Sequence, residues 1–252
     1  MLIDTHCHLD FPQFDHDRDE VIMRAGQSGV SRIINIGSSV EGSEKTLQLS
    51  KKYPNLYSVV GIHPHEADNC GIKAQEQIGM LYEDKKVRAI GEIGLDYYKN
   101  YSSRDSQMRI FLYQLKLANE RALPVVIHTR EAEADTLTAL KDSRPSAVLV
   151  HCFSSGGDFL KECLGLGFFV SFTCNITYKK ADKLRELVKA TPLDNLMLET
   201  DAPYLAPEGL RGRRNEPMQV RPLAEFVAKL KGVSFEEVAD KTTSNAVKFF
   251  NL

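Results

Sequence analysis

The feature that most constrains this chain of 252 residues is a repeat in residue type. A short apolar run, a loop and a longer amphipathic stretch follow one another along the sequence. The apolar runs are mostly continuous rather than alternating, which is typical of parallel strands buried on both faces. There are eight of them: Leu2–Cys7, Arg32–Gly37, Leu56–Ile62, Val87–Ile93, Pro124–His128, Ala147–Cys152, Phe168–Phe172 and Asn195–Thr200.

Helix-length segments lie between these runs. Strands that alternate with helices form right-handed βαβ units and a parallel sheet. We therefore expect an α/β fold, a (β/α)8 TIM barrel in which residues 1–252 form a single domain. A doubly wound open sheet is the alternative. The tail Ser234–Leu252 is predicted to be an extra helical segment. Two of the intervening segments carry apolar stripes at helical spacing: Met108, Phe111, Leu112, Leu115 and Val220, Leu223, Ala224, Val227.

Charge and cysteine usage exclude several classes of protein. The formal net charge is −2, so any contact with nucleic acid must come from a local patch. No apolar run approaches the roughly 18 residues of a membrane span, and the N-terminal residues do not resemble a signal peptide. The five cysteines are scattered without a CxxC pair, which argues against a disulfide framework or a zinc knuckle. A cytoplasmic location is the expectation.

Most of the histidines follow the carboxyl ends of predicted strands. In a parallel barrel these ends meet on one face, where active sites lie. Two carboxylates occupy equivalent positions. The strand-end set is His6, His8, His63, His65, Glu92, His128, His151 and Asp201.

The members of this set also have ordinary structural interpretations when taken alone. His63 could fix its loop by a hydrogen bond beside Pro64. His6 and His8 lie two residues apart on a strand and point to the same face, although an HxH pair by itself is a weak signal. Glu92 could form a salt bridge in the core, because a carboxylate there needs a partner. His128 and His151 could be buried histidines with satisfied hydrogen bonds. Asp201 could cap a helix.

Together, these side chains predict a metal centre. The ligand set His6, His8, Glu92, His128, His151 and Asp201 exceeds the three protein ligands of one catalytic zinc. It suits two divalent cations bridged by Glu92, with Zn, Mn, Ni, Co or Fe more natural than Mg. Such centres hydrolyse esters, amides or phosphodiesters. Asp201 is also expected to take a proton from the attacking water, and His63 to contact the scissile group.

Seven motifs in order give the chain a family resemblance. DTHCHLD, GIHPH, GEIGLDYY, PVVIHTRE, VLVHCFSSG, LETDAPYL and RGRRNEP resemble the TatD-type deoxyribonuclease family of metal-dependent hydrolases. The resemblance implies an amidohydrolase-like TIM barrel, one or two divalent metals and hydrolysis of DNA, often as a 3′→5′ exonuclease. The ligand positions of the family fall on the same six residues. The intact His6/His8 pair favours two metals.

The substrate is the least determined part of this interpretation. DNA is the expected substrate, with no membrane and no obligate protein partner. The alternative is an ester or amide hydrolase such as a D-aminoacyl-tRNA deacylase, whereas a non-catalytic scaffold would not keep a full ligand set. The loop that carries Arg211, Arg213 and Arg214 is expected to bind substrate phosphates. It could instead be a solvated basic loop, or one of its arginines could pair with Glu216. Substrate contacts are assigned to His65, Arg130, Tyr204, Arg211, Arg213 and Arg214.

Overall fold

The computed structural model describes residues 1–252 and contains one eight-stranded sheet whose order follows the chain. The printed pairings of neighbouring strands are parallel. The strands are β1 (Leu2–Cys7), β2 (Val30–Ile36), β3 (Leu56–Val60), β4 (Val87–Asp96), β5 (Val125–Arg130), β6 (Val148–Val150), β7 (Phe169–Phe172) and β8 (Leu196–Leu198).

A helix follows every strand. The first seven helices each lead from one strand to the next, as βαβ units require. Helices α8 and α9 follow the last strand, and α9 confirms the predicted C-terminal helical segment. The helices are α1 (Arg18–Gln27), α2 (Val40–Lys52), α3 (Ile72–Leu81), α4 (Arg104–Arg121), α5 (Glu133–Ser143), α6 (Gly157–Gly165), α7 (Asp182–Ala190), α8 (Val220–Lys231) and α9 (Phe235–Phe250).

The segment that follows the last strand pairs with the first strand. Cys7 forms a parallel bridge with Ala202, and the main-chain N–H of His8 donates to the carbonyl of Ala202 at 2.7 Å. The N–H of Asp201 donates to the carbonyl of His6 at 2.8 Å. A sheet in sequential order whose ends pair in this way is a barrel, so the predicted (β/α)8 fold is confirmed. The doubly wound alternative is wrong, because its strand order reverses along the sheet.

Close contacts divide the chain into two compact units. The first contains residues 1–35 and 152–252, and the second contains residues 36–151. In the first unit, α9 packs against β1 and β8, and the Ser234 side chain caps it by accepting from the N–H of Glu237 at 3.0 Å. In the second unit, α4 packs against β4. The single-domain assignment stays a prediction. None of the helices has the length and hydrophobicity that a membrane crossing requires.

Strand β4 extends three residues beyond the predicted run, to Asp96. It does so because Ile93–Asp96 continue to pair with β5, with Gly94 opposite His128. Gly94 has a φ of +138°, and a Cβ there would lie 2.0 Å from the carbonyl oxygen of His128. Only glycine permits this approach. The extension brings a second carboxylate, that of Asp96, to the end of β4.

Candidate metal centre

In the second unit, three imidazoles surround one carboxylate oxygen. The Oε1 atom of Glu92 lies 2.7 Å from Nε2 of His151 and 2.8 Å from Nδ1 of His128. It lies 3.4 Å from Nε2 of His63. Glu92 is buried near the middle of β4. His128 lies within β5, two residues before its end, and His63 and His151 follow β3 and β6. We call Glu92, His63, His128 and His151 the Glu92 cluster.

The charge state of this cluster follows from its contacts. Burial opposes ionisation of Glu92, but the nearby His151 and His63 and the hydrogen bonds from His128 and His151 outweigh it and lower its pKa. Burial lowers the pKa of His63 to about 4. The main-chain N–H of His65 donates to Nδ1 of His63 at 3.1 Å. Near neutral pH, His63 is therefore an uncharged ring whose proton lies on Nε2, facing Glu92.

Asp96 forms a further carboxylate–histidine contact beside this cluster. Its Oδ2 lies 2.8 Å from Nε2 of His65 and 3.2 Å from Nε2 of His128. Its Oδ1 accepts main-chain N–H groups of Tyr98 and Lys99 at 3.0 and 2.8 Å. Burial opposes ionisation of Asp96, but these hydrogen bonds outweigh it and lower its pKa. Asp96 is therefore ionised, and its carboxylate orients His65 and His128.

The sequence analysis missed Asp96, although a signal was present. Asp96 lies four residues after Glu92, so on one continuous strand both carboxylates lie on the same face. The predicted run ended at Ile93, and the two carboxylates were therefore not placed on one strand. Extending the run through Gly94 to Asp96 would have found it.

In the first unit, His6, His8 and Asp201 converge at the ends of β1 and β8. The Nε2 atoms of His6 and His8 are 3.3 Å apart. Oδ1 of Asp201 lies 3.5 Å from Nε2 of His8 and 3.8 Å from Nε2 of His6. The His8 ring stacks on Phe11 with centroids 4.7 Å apart, which fixes its plane. We call these three donors the His6–His8 cluster.

Buried hydrogen bonds of Asp4 and Glu199 support the segment that carries Asp201. The Asp4 carboxyl group accepts a hydrogen bond from the main-chain N–H of Thr200 at 2.9 Å and another from the Thr200 hydroxyl at 2.6 Å. Burial raises the pKa of Asp4 to about 8. The Glu199 carboxylate accepts the N–H of Cys152 at 2.7 Å and the hydroxyl of Ser171 at 2.6 Å. These contacts tie the segment before Asp201 to β1, to the residues just after β6 and to β7.

The donor atoms of both clusters fit a divalent cation. Two ligands at about 2.1 Å from one tetrahedral zinc ion lie about 3.4 Å apart. The spacings of 3.3, 3.5 and 3.8 Å among His6, His8 and Asp201 are close to that value. In the second unit, His63, Glu92 and His128 each offer one ligand atom within 4.8 Å of the others. Imidazole and carboxylate donors without thiolates suit Zn, Mn, Ni, Co or Fe.

The predicted substrate contacts lie in different environments. His65 is bound to Asp96, and the guanidinium of Arg130 lies 3.8 Å from the centroid of the Tyr98 ring. Tyr204 is 51% exposed, and Arg211 and Arg213 are also exposed. These assignments stay predictions.

Arg214 differs from its neighbours because it is engaged within the protein. Its Nη1 and Nη2 atoms donate to the two carboxylate oxygens of Asp17 at 2.7 and 2.6 Å. Nη2 also donates to Glu216 at 3.0 Å, the pairing considered as an alternative from sequence. Arg24 donates to both carboxylates as well. In this geometry Arg214 holds its loop to α1, which makes it the weakest of the three arginines as a phosphate ligand.

A parallel barrel with imidazole and carboxylate donors at its strand ends has the architecture of a metal-dependent hydrolase. Residues 3–251 match the family described as TatD related DNase. The uncharacterized metal-dependent hydrolase YabD of Bacillus subtilis is 40% identical over the full length of both chains. The 3′-5′ ssDNA/RNA exonuclease TatD of Erwinia tasmaniensis is 38% identical, again over the full length of both.

A solved structure agrees with these sequence matches. The TatD homolog YjjV from Escherichia coli K12 superimposes with a TM-score of 0.95 and 33% identity, covering 100% of this chain and 98% of that one. The chain therefore belongs to the TatD family of metal-dependent hydrolases.

Proposed function

We propose that this chain is a nuclease that hydrolyses the phosphodiester bonds of DNA, working from the 3′ end of a single strand. The observation that carries the proposal is a cavity of about 520 Å³ lined by Tyr204, Arg211 and Arg213. Its wall is joined to a candidate metal ligand, because the main-chain N–H of Tyr204 donates to the carbonyl of Asp201 at 2.9 Å. Arginine suits phosphate oxygens, and an exposed aromatic ring suits an unpaired base.

The relatives support the same assignment. The Erwinia relative of equal length is named a 3′-5′ exonuclease acting on single-stranded DNA and RNA. The residues that would hold divalent cations are those of the predicted ligand set, His6, His8, Glu92, His128, His151 and Asp201. When bound, such cations lower the pKa of water and stabilise charge on phosphoryl oxygens.

The chain's own residues supply the proton transfers and the alignment. The Asp201 carboxylate is a positioned base that accepts the proton of the attacking water. The neutral His63 donates from Nε2 toward the negative charge that develops on the scissile group. Asp96 holds His65 and His128 in fixed orientations by hydrogen bonds at 2.8 and 3.2 Å.

A substrate panel tests this proposal. Metal-loaded protein is incubated with labelled single-stranded DNA, duplex DNA, single-stranded RNA and a D-aminoacyl-tRNA. We expect stepwise shortening of single-stranded DNA from its 3′ end, abolished by chelation. Release of the amino acid from the tRNA with no shortening of any strand would contradict the nuclease and favour the deacylase.

A further inference from the structure

A second cavity lies beside the first one in the same unit. It has a volume of about 890 Å³, and we call it the lysine groove. The residues used here to define it are Tyr178, Lys179, Lys180, Lys183, Leu205 and Arg211. Tyr178, Lys179 and Lys180 lie in the connection from β7 to α7, and Lys183 lies in the first turn of α7. No function was predicted for this segment from the sequence.

The cations of the lysine groove are available to a ligand. Lys179, Lys180 and Lys183 are exposed, and no acidic side chain of the protein pairs with their ammonium groups. The two acidic residues that line the groove bind groups other than the lysine ammonium groups. Asp182 is bound by Arg185, and Glu208 accepts the main-chain N–H of Lys179 at 3.2 Å. The groove is therefore a local positive surface on a chain whose net charge is −2.

The lysine groove shares part of its lining with the first cavity. Tyr178, Leu205 and Arg211 line both cavities. Arg211 stacks over the Tyr178 ring at 4.5 Å from its centroid and lies 3.9 Å from the carboxylate of Glu208. A flat guanidinium–aromatic pair thus stands where the two cavities meet. Such a pair presents a stacking surface to a base.

The combination of features favours one kind of ligand. Free lysines along a groove bind a chain of phosphates, whereas aromatic and apolar walls accept unpaired bases. An acidic peptide would use the lysines but not the stacking surface.

We propose that the lysine groove binds the part of a single nucleic acid strand that lies several nucleotides away from the scissile bond. This proposal rests on the proposed nuclease function. It adds the path that the strand takes beyond Asp201, Tyr204 and Arg211. The strand's phosphates contact Lys179, Lys180 and Lys183.

The test measures binding of a non-cleavable strand. Metal-loaded protein is titrated with fluorescent phosphorothioate oligothymidylates of about 3 and about 12 nucleotides over a range of salt concentrations, lengths that bracket common single-strand site sizes. The groove variant carries Lys179→Ala, Lys180→Ala and Lys183→Ala. The matched control carries Lys73→Ala, Lys161→Ala and Lys229→Ala, three exposed lysines on α3, α6 and α8. Both variants lose the same charge.

We expect the groove variant to bind the longer strand about tenfold more weakly than the control does, with a salt slope smaller by about 2.1, because three phosphate contacts are lost. The shorter strand should show a smaller difference. Equal affinities and slopes in the two variants would overturn the groove proposal, as would displacement of the strand by polyglutamate at equal charge concentration. The proposed nuclease function is judged separately, by whether the wild-type protein shortens single-stranded DNA.

Discussion

Asp201 has a backbone conformation that asparagine also adopts, so one substitution can separate metal binding from proton transfer. Its φ is +54°, in the left-handed region, and asparagine tolerates this region as well as aspartate does. Asp201→Asn therefore keeps the fold and an oxygen for the metal but cannot accept a proton. We expect kcat to fall by about 10²–10⁴-fold while KM changes little. Equal losses in kcat and in affinity for the strand would show that Asp201 only binds metal.

His63 is expected to act without binding metal tightly. Its Nδ1 accepts the N–H of His65, and its pKa of about 4 keeps the ring neutral near pH 7. The single ring proton is therefore on Nε2, which makes this atom a hydrogen-bond donor rather than a metal ligand. Replacing His63 by glutamine should lower kcat by about 10²-fold, as removal of an oxyanion donor does, with metal content unchanged. His16→Gln is the control, because the His16 side chain is 75% exposed. Loss of metal in the His63 variant would make it a ligand.

At the scale of elements, the contact between β4 and β5 depends on Gly94. A methyl group there would meet the His128 carbonyl at 2.0 Å, in a backbone region that other residues rarely adopt. We expect Gly94→Ala to lower the free energy of unfolding by about 3 kcal/mol in urea denaturation. Gly26→Ala in α1 has open space around it and should stabilise by about 0.5–1 kcal/mol. Similar changes in the two variants would mean that β4 and β5 do not approach as described.

The loop that carries Arg214 is held to α1 by an ion-pair network. A hydrogen bond from Arg214 holds the pKa of Asp17 well below its usual value of 3.8. Burial opposes ionisation of Glu216, but Arg24 and Arg214 outweigh it and lower its pKa below 4.5. Both folded-state values are depressed. The network therefore stabilises the fold above about pH 4 and loses this contribution as the pH falls toward the folded-state values.

Asp17→Asn should thus cost about 1–2 kcal/mol at pH 7, and the difference from wild type should shrink below about pH 4. The measurement is urea denaturation at several pH values. Glu76→Gln serves as the control, because this exposed glutamate on α3 has no ion pair. A difference from wild type that stays constant from pH 7 to about pH 3 would rule out the ion-pair explanation.

At the scale of the whole molecule, the barrel was predictable from local patterns. Continuous apolar runs depend on short stretches of sequence, so residues such as Glu92 and His128 could be assigned to particular strands directly, although both strands continue beyond them. The end of β4 was not predictable in this way, because glycine at position 94 normally weakens a strand. Its place in the sheet depends on pairing with β5.

Contacts between residues far apart in the sequence could not be predicted from its hydrophobic periodicity. Arg214 and Asp17 are 197 residues apart, and no periodicity connects them. The lysines of the groove were missed for a different reason. Charged residues at the start of a helix such as α7 usually form a solvated face. Only the cavity beside Arg211 and Tyr178 distinguishes these lysines from other exposed lysines.

Glu92 is the residue on which the predicted metal site depends most, because it is expected to serve two divalent cations. The most direct test is the number of metal ions per chain, measured by elemental mass spectrometry in wild type and Glu92→Ala, beside Glu76→Ala as the control and with nuclease activity on the same samples. We predict two ions per chain in wild type and in the control, and loss of both ions and of activity in Glu92→Ala with the barrel still folded. A Glu92→Ala protein that keeps two ions per chain would contradict the bridging role and the metal centre described here.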